Sequence, residues 1–291
     1  MGKLFALLSA LTWAVAVILF KKSGERVPPF ALNLFKAGVS VLLFIGTLFL
    51  MGQGVWGEAP LKDYLILFLS GVIGIAISDT LFLMSLNIVG AGILAIVDTL
   101  YSPLVVLLAY LFIGERFGFW QILGMVFVVL GVLATARPEA TKELSRARLI
   151  EGISIGALAM ITLAVGIVIA KPVLNRSPVV WATTVREIGC LVVMVPIAFA
   201  SKDRWRILSA FKPSRTWRFS LTGTIIGSYL ALMLWIAGMK YTLAGTAAIL
   251  NQSNTIFVLI FASVFLKEGF TKRKFLAAAL AITGIMMVTL G

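Results

Sequence analysis

Residues Ala91 to Ala136 align without a gap on the same chain 153 residues further along, and 11 of the 46 positions are identical. The pairs include Gly92/Gly245, Glu115/Glu268 and Gly131/Gly284. An apolar composition raises chance matches among Leu, Ile, Val and Ala. It does not readily bring two glycines and a glutamate into one register, so the repeat is taken as real. At an offset of 150 the earlier parts follow: Gly2/Gly152, Lys21/Lys171, Arg26/Arg176 and Pro28/Pro178, with Lys36 meeting Arg186. The chain therefore reads as one unit written twice, 1–136 and 152–291, joined by the polar linker 137–151.

What the unit is made of follows from its hydropathy. With 60% hydrophobic residues, 13% charged residues and a mean hydropathy of +1.06, the chain is too apolar for a soluble domain. A bilayer span needs about 20 mostly apolar residues. Such runs occur at 3–20, 30–51, 64–86, 90–113, 118–136, 152–170, 179–200, 217–239, 242–266 and 274–290. The expected fold is an all-α polytopic membrane protein with ten transmembrane helices, five in each repeat. Five is odd, so the second repeat enters the bilayer from the opposite face and the two repeats are inverted.

The net charge of +13 would suggest nucleic acid in a soluble protein. Here the basic residues lie between spans, where they set topology instead. Seventeen fall on one side and 6 on the other. The richer side is assigned to the cytoplasm, with both termini outside and the plasma membrane as the location. Histidine is absent and Cys190 is the only cysteine, so no metal or cofactor is expected. The first run could be mistaken for a signal peptide, but its match to 152–170 argues that it stays as a helix.

Charges inside spans carry the functional reading, because each is costly in a bilayer and needs a cavity or a partner. Lys36, Asp79 and Asp98 come from three spans at a similar depth, about 9–14 Å from the cytoplasmic boundary at 1.5 Å per residue. Tyr101 and Ser102 share a helix face with Asp98. Pro103 frees a carbonyl in the same span and predicts a kink. In the second repeat Arg186 and Glu187 lie within a span, and Tyr229 is mid-membrane. Asn251 to Thr255 form an unbroken polar run that includes Asn254. Asn251 is the repeat counterpart of Asp98, and both come to about 13 Å from opposite faces, near the midplane. Trp13 completes the expected substrate site, with Asp98 and Asp79 as proton-coupling candidates. Bland readings compete at several points. Lys36 can snorkel to the headgroups, Ser9 and Thr12 can bond back to their own helix, and Trp235 suits the aromatic belt. Glu115 suits the dipole of the helix that follows it. Lys171-Pro172 is read as the end of its helix.

The run LNIVGAGILAIVDTLYSPLVVLLAYLFIGERFGFWQILGMVFVVLGVLA resembles the EamA-type half of the drug/metabolite transporter superfamily. A weaker copy at 237–289 has Lys-Glu-Gly in place of Gly-Glu-Arg. The resemblance implies a carrier that alternates access around a central cavity, and Lys36 and Arg186 match the family's usual basic residue in the second helix of each half. It also implies export of amino acids or related metabolites, often in exchange for protons. The four-helix multidrug relatives use a glutamate in their first helix; this first span has no acid, so that coupling residue cannot be carried over. The partners expected are a small-molecule substrate, the lipid bilayer and a proton, with no nucleic acid, and the protein is expected to work as a monomer. A multidrug, lipophilic-cation or lipid carrier is the alternative. An intramembrane aspartyl enzyme is disfavoured, since Ser-Asp-Thr and Val-Asp-Thr surround the two aspartates.

Overall fold

The computed structural model describes residues 1–56, 59–113, 118–135, 145–241, 250–269 and 271–290. Among these, the regular structure is entirely helical. In chain order the helices are α1 (Gly2–Gly24), α2 (Pro29–Leu50), α3 (Leu61–Gly71), α4 (Ser78–Asp98), α5 (Tyr101–Ile113), α6 (Phe119–Thr135), α7 (Arg146–Arg176) and α8 (Val179–Ala200). Then come the short α9 (Arg204–Leu208), α10 (Trp217–Gly223), α11 (Leu232–Tyr241), α12 (Asn254–Phe265) and α13 (Lys272–Leu290). Six described helical stretches are long and apolar enough to cross a membrane: Gly2–Gly24, Pro29–Leu50, Leu61–Asp98, Arg146–Arg176, Val179–Ala200 and Trp217–Gly238. Ile122–Gly131 and Asn254–Phe265 are shorter apolar helices. Large apolar side chains such as Leu42, Phe49 and Leu50 stay exposed, as lipid-facing residues must.

Local chemistry explains where helices start and stop. Pro28 and Pro178, matched in the repeat, sit at the N-caps of α2 and α8, where a missing backbone N–H costs nothing. Gly90 has φ +82 and breaks α4, so the chain turns back there. The next interruption lies at Thr99–Leu100, between α4 and α5. Pro103 accounts for it, because the proline cannot donate to the Thr99 carbonyl. The matching place in the second repeat, Gln252–Ser253 before α12, is interrupted as well, without a proline. Two π-helical segments, Val72–Ile77 and Thr224–Ala231, precede α4 and α11 and also match in the repeat. Such segments widen a helix and are common at functional sites.

Two expectations about helix ends are corrected. Lys171-Pro172 does not end its helix, since α7 runs from Arg146 to Arg176 with Pro172 inside. The proline removes one backbone bond, a loss that a well-packed membrane helix tolerates. The helix also starts earlier, with Ser145 as N-cap accepting from the Arg148 N–H, so the last residues assigned to the linker are helical.

Close packing uses small residues, as is usual in lipid. A Cβ on Gly131 would stand 2.8 Å from the Ala277 carbonyl oxygen, and one on Gly284 would stand 2.5 Å from that of Gly124. Each glycine of this repeat pair thus meets the other's helix at the corresponding place. Gly166 packs against Gly74, and Ala16 against Gly227, in the same reciprocal way. Hydroxyl bonds reinforce the contacts: Ser9 Oγ donates to the Ala231 carbonyl (2.9 Å) and Ser78 Oγ to the Ala159 carbonyl (2.9 Å).

A polar cavity between repeat-matched helices

The π segments and helix breaks converge on one cavity of about 900 Å³, its open mouth included. Its wall is built from matched positions: Gly74 and Gly227, Ser78 and Ala231, Phe82 and Trp235, Asp98 and Asn251, Tyr101 and Asn254. The two breaks explain why polar groups gather here. Asp98 closes α4 and Tyr101 opens α5, while Asn251 and Asn254 flank the other break. Asn254 Nδ2 donates to Asp98 Oδ2 (3.1 Å) and Thr255 Oγ1 donates to the Ala95 carbonyl (3.2 Å), so the two breaks are tied to each other.

A second group of charges stands on the same wall. Lys36 Nζ donates to Asp79 Oδ2 at 2.7 Å and lies over the Phe20 ring, 5.1 Å from its centroid. The lysine side chain is 3% exposed and the aspartate 24%, with only the aspartate lining the cavity. Lys36 therefore stays in place rather than snorkelling, because a buried ammonium is far cheaper when paired. Arg186 and Glu187 are fully buried and face the cavity. Arg186 Nε donates to Ser70 Oγ (2.9 Å), and Ser70 Oγ donates in turn to the Gly166 carbonyl (2.8 Å). Among the described residues, Arg186 Nη1 and Glu187 Oε2 are buried without a hydrogen-bond partner, as are Tyr101 Oη, Ser228 Oγ and Gln252 Oε1. Five such atoms around one cavity contrast with the usual near-complete satisfaction of buried polar groups. They are the polar groups around the cavity with hydrogen-bonding capacity to spare. Around this cavity the cations Lys36 and Arg186 face the carboxyls Asp79, Asp98 and Glu187, which leaves one surplus acid when all are ionised.

Of the residues singled out from the sequence, Asp79, Asp98, Tyr101, Asn251, Asn254, Arg186 and Trp13 line this cavity. Two do not. Lys36 is held behind Asp79, and Tyr229 turns its hydroxyl to Thr47 Oγ1 (2.6 Å) with its ring against Phe44. Tyr229 follows Ser228, which does line the cavity, and neighbouring helix residues point about 100° apart. Trp235, expected in an aromatic belt, lines the cavity with its ring 6.3 Å from Tyr101. Ser9, Ser78, Phe82, Ser228 and Gln252 also line it. The signal that points to Ser228 and Ser78 is their nearness to the matched Gly227 and Gly74. Glu115, expected to suit the dipole of the helix after it, lies outside the described residues. Glu268 Oε1 and Oε2 accept the Ala91 and Gly92 N–H groups (2.8 and 2.9 Å), at the start of the helical segment that ends in Asp98.

Comparison with known proteins agrees with this architecture. A crystal structure of a protein superposes with a TM-score of 0.69 over 99% of this chain and 96% of its own, at 19% identity, a likeness of fold. Two uncharacterized transporters of Archaeoglobus fulgidus are 23% and 19% identical over 287 residues, with 97% and 96% of their lengths covered. An uncharacterized transporter of Clostridium kluyveri is 24% identical over 130 residues, covering 45% of this chain and 42% of its own. The profile of the EamA-like transporter family matches twice, over residues 1–137 and 150–290. The chain is thus a transporter of the EamA-like family, within the drug/metabolite transporter superfamily.

Proposed function

We propose that the protein is a secondary carrier that exports a small polar metabolite, such as an amino acid, by alternating access in exchange for protons. The observation that carries the reading is the cavity itself, where matched positions of the two repeats meet and buried polar atoms await a ligand. In this reading each repeat contributes five of ten membrane helices and the two are inverted, which supplies two equivalent conformations around one midplane site. The reciprocal contacts of Gly131 with Gly284's helix, and of Ser9 and Ser78 with the opposite repeat, support it.

The surplus acid supports coupling. With the Lys36–Asp79 pair held and Arg186 beside Glu187, Asp98 is the cavity carboxyl with no cation set against it among the described residues. A proton on Asp98 neutralises the surplus charge and a substrate ammonium pairs with it, so exchange of one for the other is antiport. The protein is placed in the plasma membrane as a monomer with both termini outside. Counterflow of a radiolabelled amino-acid mixture in proteoliposomes, with and without a pH gradient, tests the reading. Uptake that a gradient stimulates is expected. If lipophilic cations alone move, the multidrug alternative takes its place.

A further inference from the structure

Arg26 and Arg176 are matched residues of the two repeats, but their surroundings differ in one group. Arg176 holds Asp63 through two bonds, Nη2 to Oδ1 (2.6 Å) and Nε to Oδ2 (3.3 Å). The offset of 153 that pairs Gly74 with Gly227 and Pro60 with Pro213 puts Thr216 in the place of Asp63. A hydroxyl thus stands where the other repeat has a carboxylate, and Arg26 has no ion pair among the described residues. At the same offset Arg218 replaces Leu65, which adds a cation beside the missing acid.

These residues share one cleft, apart from the central cavity. It measures about 710 Å³ with its open mouth, and Lys22, Glu25, Arg26, Arg215, Thr216 and Arg218 line it. Four cations face one carboxylate, which leaves a net charge of +3. Glu25 is set against Lys22 (3.4 Å) and not against an arginine. The Arg218 guanidinium lies over the Phe219 ring, 4.6 Å from its centroid, so its N–H edge stays free to donate. Thr216 Oγ1 accepts from Ser214 Oγ (3.1 Å), which leaves its own proton for a ligand. The cleft's two walls, α1 and α10, are tied by the buried hydroxyls of Ser23 and Ser220, 2.6 Å apart. Setting topology needs only the charge of these residues. It does not call for the loss of a carboxylate at a matched place.

We infer that this cleft binds a phosphate oxyanion, the headgroup phosphate of an anionic lipid, in the place that the Asp63 carboxylate fills in the other repeat. Arg26 and Thr216 hold it, with Arg215 and Arg218 closing the charge. Arginine meets phosphate as it meets carboxylate, with paired N–H bonds, so one anion can stand in for the other. The level in the membrane selects the lipid as the source. Helix α1 has 23 residues, which makes it about 35 Å long against a hydrocarbon core of about 30 Å. The cleft at its end therefore lies among the headgroups, where basic pockets take lipid phosphates. Trp205, on the same connection as Arg215, is 74% exposed, as an interfacial anchor is.

The test titrates the purified protein in micelles with phosphatidylglycerol, with phosphatidylcholine and with inorganic phosphate at constant ionic strength, and reads binding by thermal shift. Phosphatidylglycerol should bind at least tenfold more tightly than phosphatidylcholine. At about a hundredfold excess over Kd it should raise the melting point by about 5 °C. Thr216→Asp gives Arg26 the carboxylate that Arg176 already has. It should melt no lower than the wild type without lipid, and lose at least tenfold in affinity for phosphatidylglycerol. Arg26→Gln, at an exposed residue, should lose as much. Lys202→Gln removes the same single charge outside the cleft and should bind within twofold of the wild type. If inorganic phosphate binds with this variant pattern and phosphatidylglycerol does not, the oxyanion site stands and the lipid source falls. If Thr216→Asp and Arg26→Gln bind like the wild type, or Lys202→Gln loses as much as they do, the attraction belongs to the basic face at large and the site is wrong. Absence of a shift with either phosphate source also overturns it.

Discussion

Glu268→Gln is the most informative single change outside the cavity. The wild-type carboxylate accepts two consecutive backbone N–H groups, Ala91 and Gly92, at 2.8 and 2.9 Å, and stands 3.8 Å from the Lys274 ammonium. Its side chain is 15% exposed and that of Lys274 only 4%. A glutamine has one acceptor oxygen, so one N–H loses its partner and faces an amide NH₂ instead. A hydrogen bond to a charged group contributes about 1.5–3 kcal/mol. Charge at a helix N-terminus adds about 0.3–1 kcal/mol. Lys274 keeps its bond to the Gly269 carbonyl (2.9 Å), so its loss is smaller than that of an abandoned buried cation. The expected cost is about 3 kcal/mol.

At roughly 2 °C per kcal/mol for a chain of this size, the melting point in detergent should fall by about 6 °C. Glu25→Gln is the control, because its pair with Lys22 is exposed at both ends, 3.4 Å apart and i,i+3 on the surface. Exposed pairs contribute about 0–1 kcal/mol, so this variant should melt with the wild type. Equal melting of Glu268→Gln and Glu25→Gln would refute the reasoning, since it would mean that a two-oxygen cap buried between the halves is worth no more than a surface pair.

Four further outcomes follow from the same physics. Asp98→Asn should leave the protein folded, because an amide can still accept from Asn254, and should make transport in proteoliposomes insensitive to a pH gradient; unchanged gradient dependence removes Asp98 from coupling. Lys36→Met leaves Asp79 without its cation and should cost about 3–5 kcal/mol by thermal melting, with most of the loss recovered in the Lys36→Met/Asp79→Asn double variant. Gly284→Val places a side chain against the Gly124 carbonyl and should lower the melting point, while Gly269→Ala, with nothing within 4 Å among the described residues, should not. A C-terminal fluorescent reporter active only in the cytoplasm should be dark; bright cells overturn the assigned orientation.

How far the sequence could be read depends on how far each signal reaches along the chain. Membrane helices come from runs of about 20 apolar residues, a local property, so their existence is legible. Their ends are less so: α7 passes through Pro172 because packing satisfies what the proline removes. The break at Thr99–Leu100 is legible from Pro103, whereas its counterpart at Gln252–Ser253 shows only as a run of polar residues. Nothing in Val72–Ile77 or Thr224–Ala231 announces a π segment. Partners distant in sequence are hidden altogether. Asp79 declares that it needs a partner but not that Lys36 is the one, and Glu268 gives no sign that its acceptor role is served on the other repeat.

The hydroxyl contacts explain why identity between the repeats is sparse although their contacts correspond. Ser9 matches Ala159 at the offset of 150, and Ser78 matches Ala231 at the offset of 153. In one contact Ser9 donates across to the Ala231 carbonyl; in its counterpart Ser78 donates across to the Ala159 carbonyl. The same two surfaces are bonded each time, with the donor on opposite sides of the contact. A buried hydroxyl needs an acceptor, but the carbonyl that accepts belongs to the backbone and is available whatever the side chain. Selection on such a contact can therefore keep the bond while exchanging which helix carries the serine, and a residue-by-residue match counts the result as two mismatches. The same freedom is missing at Glu268, where both carboxylate oxygens are used and no backbone group can replace them, and there the repeat retains the glutamate, the alanine and the glycine together.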